Sequence, residues 1–463
     1  MATETTSLPA ARPQAPSRGA GSEARALLAI AIPLAVVSLS EIAMGLTDTI
    51  LLGGIGESAV AAGGMGGTLF FTVGATLQGA LMAAGVLSAQ ARGGGRAHEA
   101  ASLYGTALLL GLLLALPAFI LFSFIEPILR AIGEAPSLAH DVGVYLGILR
   151  WGTPAFVAGI GVMRAMLPAI GQERLLLRVT PAMAVANGLL NYALINGAAG
   201  LPALGLRGSA LASTVTLWCT VLCLFTLLHA SRRRRTLITP PWPDWRRILP
   251  MLRVGLPIAG TIAAETSMFS VASLLAGLFG AAAAAAHQIV LAIGTFTFMV
   301  PMSIGQAANV RTGLATGAGD PVWVRRAGSV AIALAAGSMA AIGVVLLLLP
   351  GPIIHGFLDP HVAGNRRAIG LAATLMAVLA LFQVVDGTQA AAIGALRGMG
   401  DTRVPMLLAL LGYWVVAPAL CWALAFRLGW GVLGIWLSLA GGLASVAAMM
   451  TGRFLRITGR ATV

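Results

Sequence analysis

Residues Pro33–Ala62 read PLAVVSLSEIAMGLTDTILLGGIGESAVAA, and residues Pro257–Ala286 read PIAGTIAAETSMFSVASLLAGLFGAAAAAA. Laid together at a shift of 224 positions, they place Pro33 on Pro257, Glu41 on Glu265, Leu51 on Leu275, Gly53 on Gly277, Gly56 on Gly280 and Ala61-Ala62 on Ala285-Ala286. Each stretch begins with an apolar run long enough to cross a hydrocarbon slab of roughly 30 Å at about 1.5 Å per residue. In lipid only a helix or a closed barrel satisfies its own backbone, and the short alternating segments of a barrel do not occur. Each stretch therefore reads as one membrane helix and the turn after it, written twice.

Further landmarks keep the same order. Pro127 in EPILRAIGE meets Pro352 in GPIIHGFLD at a shift of 225, Gly171–Arg174 meets Gly400–Arg403 at 229, and Gly205 and Gly208 meet Gly431 and Gly434 at 226. Apolar blocks predict twelve spans near 26–52, 63–91, 103–125, 142–168, 178–197, 205–230, 250–280, 285–314, 326–350, 367–396, 404–427 and 431–452. The expected fold class is an all-α membrane protein with twelve transmembrane helices in two pseudo-symmetric six-helix lobes. An even number of spans per half orients both halves alike, about an axis along the membrane normal. The expected organisation is a disordered cytoplasmic tail at 1–24, an N-lobe at 25–230, a cytoplasmic linker at 231–249, a C-lobe at 250–453 and a cytoplasmic tail at 454–463.

Composition agrees with a bilayer as solvent. Of 463 residues 58% are apolar and 10% charged, against roughly 25% charged in an ordinary soluble domain, and mean hydropathy is +0.90. The net charge of +13 comes with 29 basic residues, all arginine. Placing the N-terminus in the cytoplasm leaves only Arg130, Arg150, Arg207, Arg366, Arg367 and Arg427 on the far side. That bias is the positive-inside rule; it sets both termini in the cytoplasm and removes the case for a nucleic-acid partner. The first hydrophobic block lacks a cleavage site and reads as a retained span. Cys219 and Cys223 stand one helical turn apart, which could serve a metal, but no third ligand is near; they and Cys421 read as small apolar fillers. Gly-rich RGGGR at Arg92–Arg96 lacks the context of a phosphate loop. No nucleotide-binding domain, ATPase subunit or hydrolase triad is implied, so the chain is not expected to be an enzyme and needs no cofactor.

Function is sought where charge is costly. Glu41 and Asp48 fall in the first span, Glu265 in the seventh and Asp386 in the tenth. An ionised carboxylate at mid-membrane costs roughly 2.5–3.5 kcal/mol on insertion scales, so such residues face protein or water and carry function. A carboxylate that can take up a proton, or trade it for Na⁺, is the minimum equipment for ion coupling. The competing reading is that each acid caps a backbone break or pairs with a buried arginine. Arg150 and Arg164 lie nearer the span ends than the middle, so deep partners are expected to be scarce. Gln383 stands one turn before Asp386. Asn187 and Asn191 share a face of the fifth span and either complete a site with Asp48 or glue helices together. His287 reads as a packing or capping residue. Pro33, Pro154, Pro257 and Pro301 kink helices or simply pack.

The residues resemble a known family, the multidrug and toxic compound extrusion (MATE) transporters in their NorM-like branch. The resemblance runs from about Ala24 to Arg456. It rests on MGLTDTILLGGIG (Met44–Gly56), NGLLNYALI (Asn187–Ile195), the eighth-span run from Ala283 to Asp320, and FQVVDGTQAAAIGALRGMGDTRVP (Phe382–Pro405). It implies antiport of cationic drugs by a single chain in the bacterial inner membrane, with H⁺ or Na⁺ as coupling ion. It implies that Asp48 is the N-lobe acid for proton or drug, that Glu265 and Asp386 couple the cation, with Na⁺ as one candidate, and that Asn187 and Asn191 surround Asp48. Two positions depart from other members: Phe382 stands where a tyrosine would give a hydroxyl, and Asn191 where an acid would stand. Glu41 is not carried over from the family; as the repeat-equivalent of Glu265 it is expected to support the site. The alternative is an exporter or flippase of lipid-linked precursors or metabolites from a related superfamily, which would want a basic cavity.

Overall fold

The computed structural model describes residues 19–231, 238 and 243–460. Twelve long helices follow one another: α1 (Ala20–Gly53), α2 (Glu57–Gly93), α3 (Ala97–Ser123), α4 (Pro136–Ala169), α5 (Glu173–Asn196), α6 (Leu206–His229), α7 (Trp245–Gly277), α8 (Ala281–Gly317), α9 (Pro321–Leu348), α10 (Arg366–Gly398), α11 (Arg403–Arg427) and α12 (Gly431–Arg460). All but α5 are apolar enough to span a bilayer on composition alone. Helix α5 is as long as α6, at 24 residues. Its lower hydropathy comes from polar residues such as Asn187 and Asn191, both fully buried, so polarity here faces protein and not lipid. The outward faces are apolar: Ile32, Leu116, Leu222 and Leu348 are all exposed.

The repeat is visible in the backbone. The paired glycines share left-handed or extended positive φ: Gly56 and Gly280 at 145° and 98°, Gly171 and Gly400 at 72° and 82°, Gly205 and Gly431 both at 55°. A side chain is disfavoured at each, which is why glycine recurs at the same turn of each half. The matched prolines Pro127 and Pro352 each sit in a short helix, Ile125–Ala131 and Pro350–His355, after the third helix of its lobe. Neighbour relations repeat too. Helix α1 packs on α5, α2 on α3 and α4, and α4 on α6; correspondingly α7 packs on α11, α8 on α9 and α10, and α10 on α12. Between lobes α1 meets α8 and α9, while α7 meets α2 and α3.

Small residues allow this closeness. A Cβ at Gly394 would collide with the Gly305 carbonyl, joining α8 to α10 within the C-lobe. Between lobes Gly93 lies against Leu314, Gly317 against Gln90 and Gly255 against Ala80, backbone on backbone. These inter-lobe contacts gather toward the face where the chain enters α1 and leaves α12. Gln90 there also donates to the Gly398 carbonyl at 2.8 Å.

Three boundaries differ from the expectation. Helix α1 begins at Ala20 rather than 25, because Glu23 is buried against the other lobe. Helix α12 runs to Arg460 rather than 453, held by Phe454, which is fully buried under Gly328. Helix α7 starts at Trp245, capped by the Asp244 side chain on the Arg246 N–H, so 245–249 belong to the C-lobe and not to the linker. The expected tails at 1–18 and 461–463 and the linker run Arg232–Arg235 lie outside the described residues. Helices α1, α7 and α8 continue through Pro33, Pro257 and Pro301. At Pro154 helix α4 is irregular, with a tight turn at Arg150–Gly152 before it and a widened π segment at Ala155–Gly161 after it.

Candidate functional site

Each lobe holds an acid site built from its own helices. In the N-lobe, Asp48 of α1 accepts from Asn191 Nδ2 of α5 at 2.9 Å and from Ser213 Oγ of α6 at 3.2 Å. Asn187 supports Asn191 through its Oδ1 at 3.2 Å and reaches Thr216 Oγ1 of α6 at 3.4 Å. The two asparagines thus hydrogen-bond across α1, α5 and α6 beside Asp48, an arrangement that fits both uses their spacing allowed. Ser213 and Thr216 were not singled out in the sequence; the hydroxyl-rich run Ser213-Thr214-Val215-Thr216 within apolar α6 was the available signal.

In the C-lobe, Glu265 of α7 and Asp386 of α10 lie close enough that the charge of one acts on the other. Asp386 is 5% exposed, and its Oδ1 has no hydrogen-bond partner. Gln383 and Gln389 stand one turn to either side on α10, each with a buried Oε1 also lacking a donor. Their amide nitrogens are occupied: Gln383 donates to Thr297 of α8, and Gln389 to the Tyr413 hydroxyl of α11 at 2.5 Å. Around this point α10 therefore carries one carboxylate oxygen and two amide oxygens that are buried without a donor. Three buried oxygens in want of a positive partner suit a proton at Asp386 or a hard cation such as Na⁺. Gln389 and Tyr413 extend the expected set. Phe382 is buried, edge-on to Phe269 and Trp436; it walls the site without supplying a ligand. The guanidinium of Arg397, lower on α10, acts on Glu265 from a distance.

Glu41 is a correction. Arg164 Nη1 meets Glu41 Oε2 at 2.5 Å, and Arg164 Nη2 donates to Ser38 at 2.8 Å. The side chains are 17% and 23% exposed. Arg164 does not lie too near its span end to serve as a partner, because a long side chain covers more than one turn of helix. Glu41 is therefore not a free acid supporting the site. Among the described residues neither Asp48, Glu265 nor Asp386 forms an ion pair within 4 Å. His287 packs: fully buried, it lies 2.9 Å from Ser273 Oγ and against Trp436. Cys219, Cys223 and Cys421 are free, and among the described residues no three His, Cys, Asp or Glu side chains cluster to hold a metal.

Two matched six-helix bundles, each with an acid inside its spans that forms no ion pair within 4 Å among the described residues, define a class, that of membrane carriers rather than enzymes. The chain belongs to the MatE family, whose model matches residues 33–193 and 257–423, one segment in each lobe. It is 45% identical over 445 residues to the multidrug resistance protein NorM of Burkholderia vietnamiensis, covering 96% of each chain. Its fold is similar to that of a MOP superfamily transporter from Pyrococcus furiosus, with a TM-score of 0.86 at 18% identity over 95% of this chain and 97% of that one. It is likewise similar to the eukaryotic MATE transporter AtDTX14, with a TM-score of 0.83 at 19% identity over 96% and 100% of the two chains.

Proposed function

We propose that the protein is a secondary-active antiporter that exports organic cations, drugs among them, in exchange for H⁺ or Na⁺. It works as a single chain in the bacterial inner membrane with both termini in the cytoplasm. The arginine bias supports the orientation, and the NorM relatives support the class of cargo. The observation that carries the exchange is the pair of sites, half-buried Asp48 in one lobe and Glu265 with buried Asp386 in the other, whose acids form no ion pair within 4 Å among the described residues.

Such acids attract a cation and are discharged by a proton or neutralised by Na⁺. Arrival of the coupling ion at Asp386 and Glu265, or at Asp48, removes the negative charge that held the cargo, which leaves on the outer side. The lobes then rock, the ion departs inward, and the restored charge recruits the next cargo molecule. Linkage requires that the two antagonise each other equally in binding. Asn191 and Ser213 hold Asp48 in place; Gln383, Gln389 and Tyr413 orient the C-lobe oxygens. Phe382 offers no ligand where a tyrosine would give a hydroxyl, and Asn191 offers Na⁺ a weaker one than an acid would, which favours the proton.

The alternative, a flippase or exporter of anionic lipid-linked precursors or metabolites, would need a cationic cavity; here three acids, Asp48, Glu265 and Asp386, stand against the single guanidinium of Arg397. The test is ethidium efflux from proteoliposomes with a pH gradient or a Na⁺ gradient imposed separately. Efflux with either gradient and none without supports exchange. Equal efflux with no ion gradient overturns it.

A further inference from the structure

One fully buried carboxylate takes no part in either acid site. Glu23, on the first turn of α1, is 0% exposed. Arg311 of α8 grips it with both arms of its guanidinium, Nε to Oε1 at 2.7 Å and Nη2 to Oε2 at 2.8 Å. Trp323, at the start of α9, donates its indole N–H to Oε2 at 3.2 Å, and its ring lies 5.0 Å from the Arg311 guanidinium. The Trp323 backbone is itself fixed by the Asp320 cap at 2.8 Å. The acid belongs to the N-lobe and all of these partners belong to the C-lobe. The cluster sits at the same face as the backbone contacts of Gly93 with Leu314 and of Gly317 with Gln90.

The internal repeat supplies a control. A shift of 224 carries Glu23 onto Arg247 and sets Trp323 opposite Glu99. Arg247 does reach Glu99, at 3.9 Å, with the signs reversed. Each lobe therefore pins the first turn of its first helix against the other lobe, the N-lobe on α8 and α9 and the C-lobe on α3. The two contacts differ in kind. Arg247 and Glu99 are 31% and 41% exposed, and water screens them. Glu23 and Arg311 are buried, bidentate and stacked on an aromatic ring.

We propose that Glu23, Arg311 and Trp323 form an inter-lobe latch, shut in this conformation, whose parting opens the central cleft toward the face where the chain enters α1 and leaves α12. The latch, and not the Arg247–Glu99 contact, sets the balance between the two states. The inference deepens the alternating-access reading, since it needs two states to exist, but not the identity of cargo or ion. The physical reason is asymmetric. When the lobes part, both charges regain water. When Glu23 is replaced by glutamine, Arg311 is left buried without its anion only while the lobes are shut, so the shut state alone is penalised.

The test uses the full chain in lipid nanodiscs, with Cys219, Cys223 and Cys421 replaced by serine. Nitroxide labels go on Arg174→Cys and Arg403→Cys, exposed repeat-related positions on the first turns of α5 and α11. Pulsed electron resonance then reads the distance between lobes, with no gradient and no cargo. The parent should show mainly the shorter distance. Glu23→Gln should raise the ratio of long to short by about tenfold, whereas Glu99→Gln should leave it within about twofold. Arg311→Lys keeps the charge but loses the fork and should fall between. Trp323→Phe keeps the ring but loses the N–H, and should shift the ratio the same way by less. These two variants decide the matter if Glu23→Gln does not fold. An unchanged distribution in Glu23→Gln, or in both milder variants, overturns the latch, as does a Glu99→Gln shift equal to that of Glu23→Gln. A chain whose distances respond but which exports no ethidium under any gradient would contradict the antiport reading and leave the latch standing.

Discussion

Glu41 and Glu265 occupy the same position of the two repeats, yet one sits in a close ion pair and the other does not. Glu41 is held by Arg164 and shares that arginine with Ser38. Glu265 has no ion pair within 4 Å; its charge acts on Asp386, and the Arg397 guanidinium acts on it from further off. The same residue type, on the corresponding helix of each bundle, is thus part of a structural ion pair in one lobe and half of a candidate exchange site in the other. The difference lies in the fourth helix of each lobe. In the N-lobe α4 sends an arginine toward the first helix; in the C-lobe α10 sends Asp386 and keeps Arg397 further along. Duplication supplied the scaffold, and the fourth helix decides what each copy of the glutamate does.

The largest effect that would break this comparison is at Asp386. Asp386→Asn should lower ion-driven ethidium efflux by about tenfold or more, since a coupling free energy of 1–3 kcal/mol lies between the two ligands. Efflux from proteoliposomes at matched protein content checks it, and wild-type rates would end the claim that Asp386 couples. Next is Arg164. Arg164→Met leaves Glu41 charged and half-buried without a partner, and should cost about 1–3 kcal/mol of stability, below the figure for a fully buried pair because both groups keep some water. Thermal unfolding in detergent reads the loss, and adding Glu41→Gln should recover most of it. If the double variant melts no higher than Arg164→Met, Glu41 is not the partner that matters.

A smaller change sharpens the C-lobe site. Phe382→Tyr adds a hydroxyl one turn from Asp386, and should raise the stimulation of efflux by a Na⁺ gradient by about threefold, on the scale of one extra oxygen contact to a charged group. A Na⁺ response identical to the parent would place position 382 outside the ion's reach. The smallest effect is expected at Tyr413. Tyr413→Phe removes the acceptor for Gln389, worth about 0.5–1.5 kcal/mol, and frees that amide to turn. The expected result is a fewfold weaker half-maximal response to the coupling ion, with export at saturation nearly unchanged.

Much of the architecture was legible in the chain. Spans follow from uninterrupted apolar runs, and the repeat follows from glycines such as Gly205 and Gly431, whose backbone angles only glycine adopts with ease. Asp48, Glu265 and Asp386 were legible because an acid in an apolar helix has so few innocent explanations. The partner of Glu41 was not. It stands 123 positions away along the chain, and no spacing rule links α1 to α4 before the bundle is assembled. The same holds for Tyr413, which reaches Gln389 across two helices, and for Glu23, which reads as part of a polar tail until Arg311 and Trp323 close on it from the opposite lobe. Periodicity finds which residues are costly within one helix; it cannot find what another helix brings to them.

The most direct measurement sets the two glutamates side by side. Glu41→Gln and Glu265→Gln would be purified, reconstituted at equal density and assayed for ethidium efflux driven by an imposed pH or Na⁺ gradient. The prediction is that Glu41→Gln retains most of the ion-driven rate while Glu265→Gln loses it. Loss in Glu41→Gln with efflux intact in Glu265→Gln would contradict the assignment of exchange to the unpaired acid.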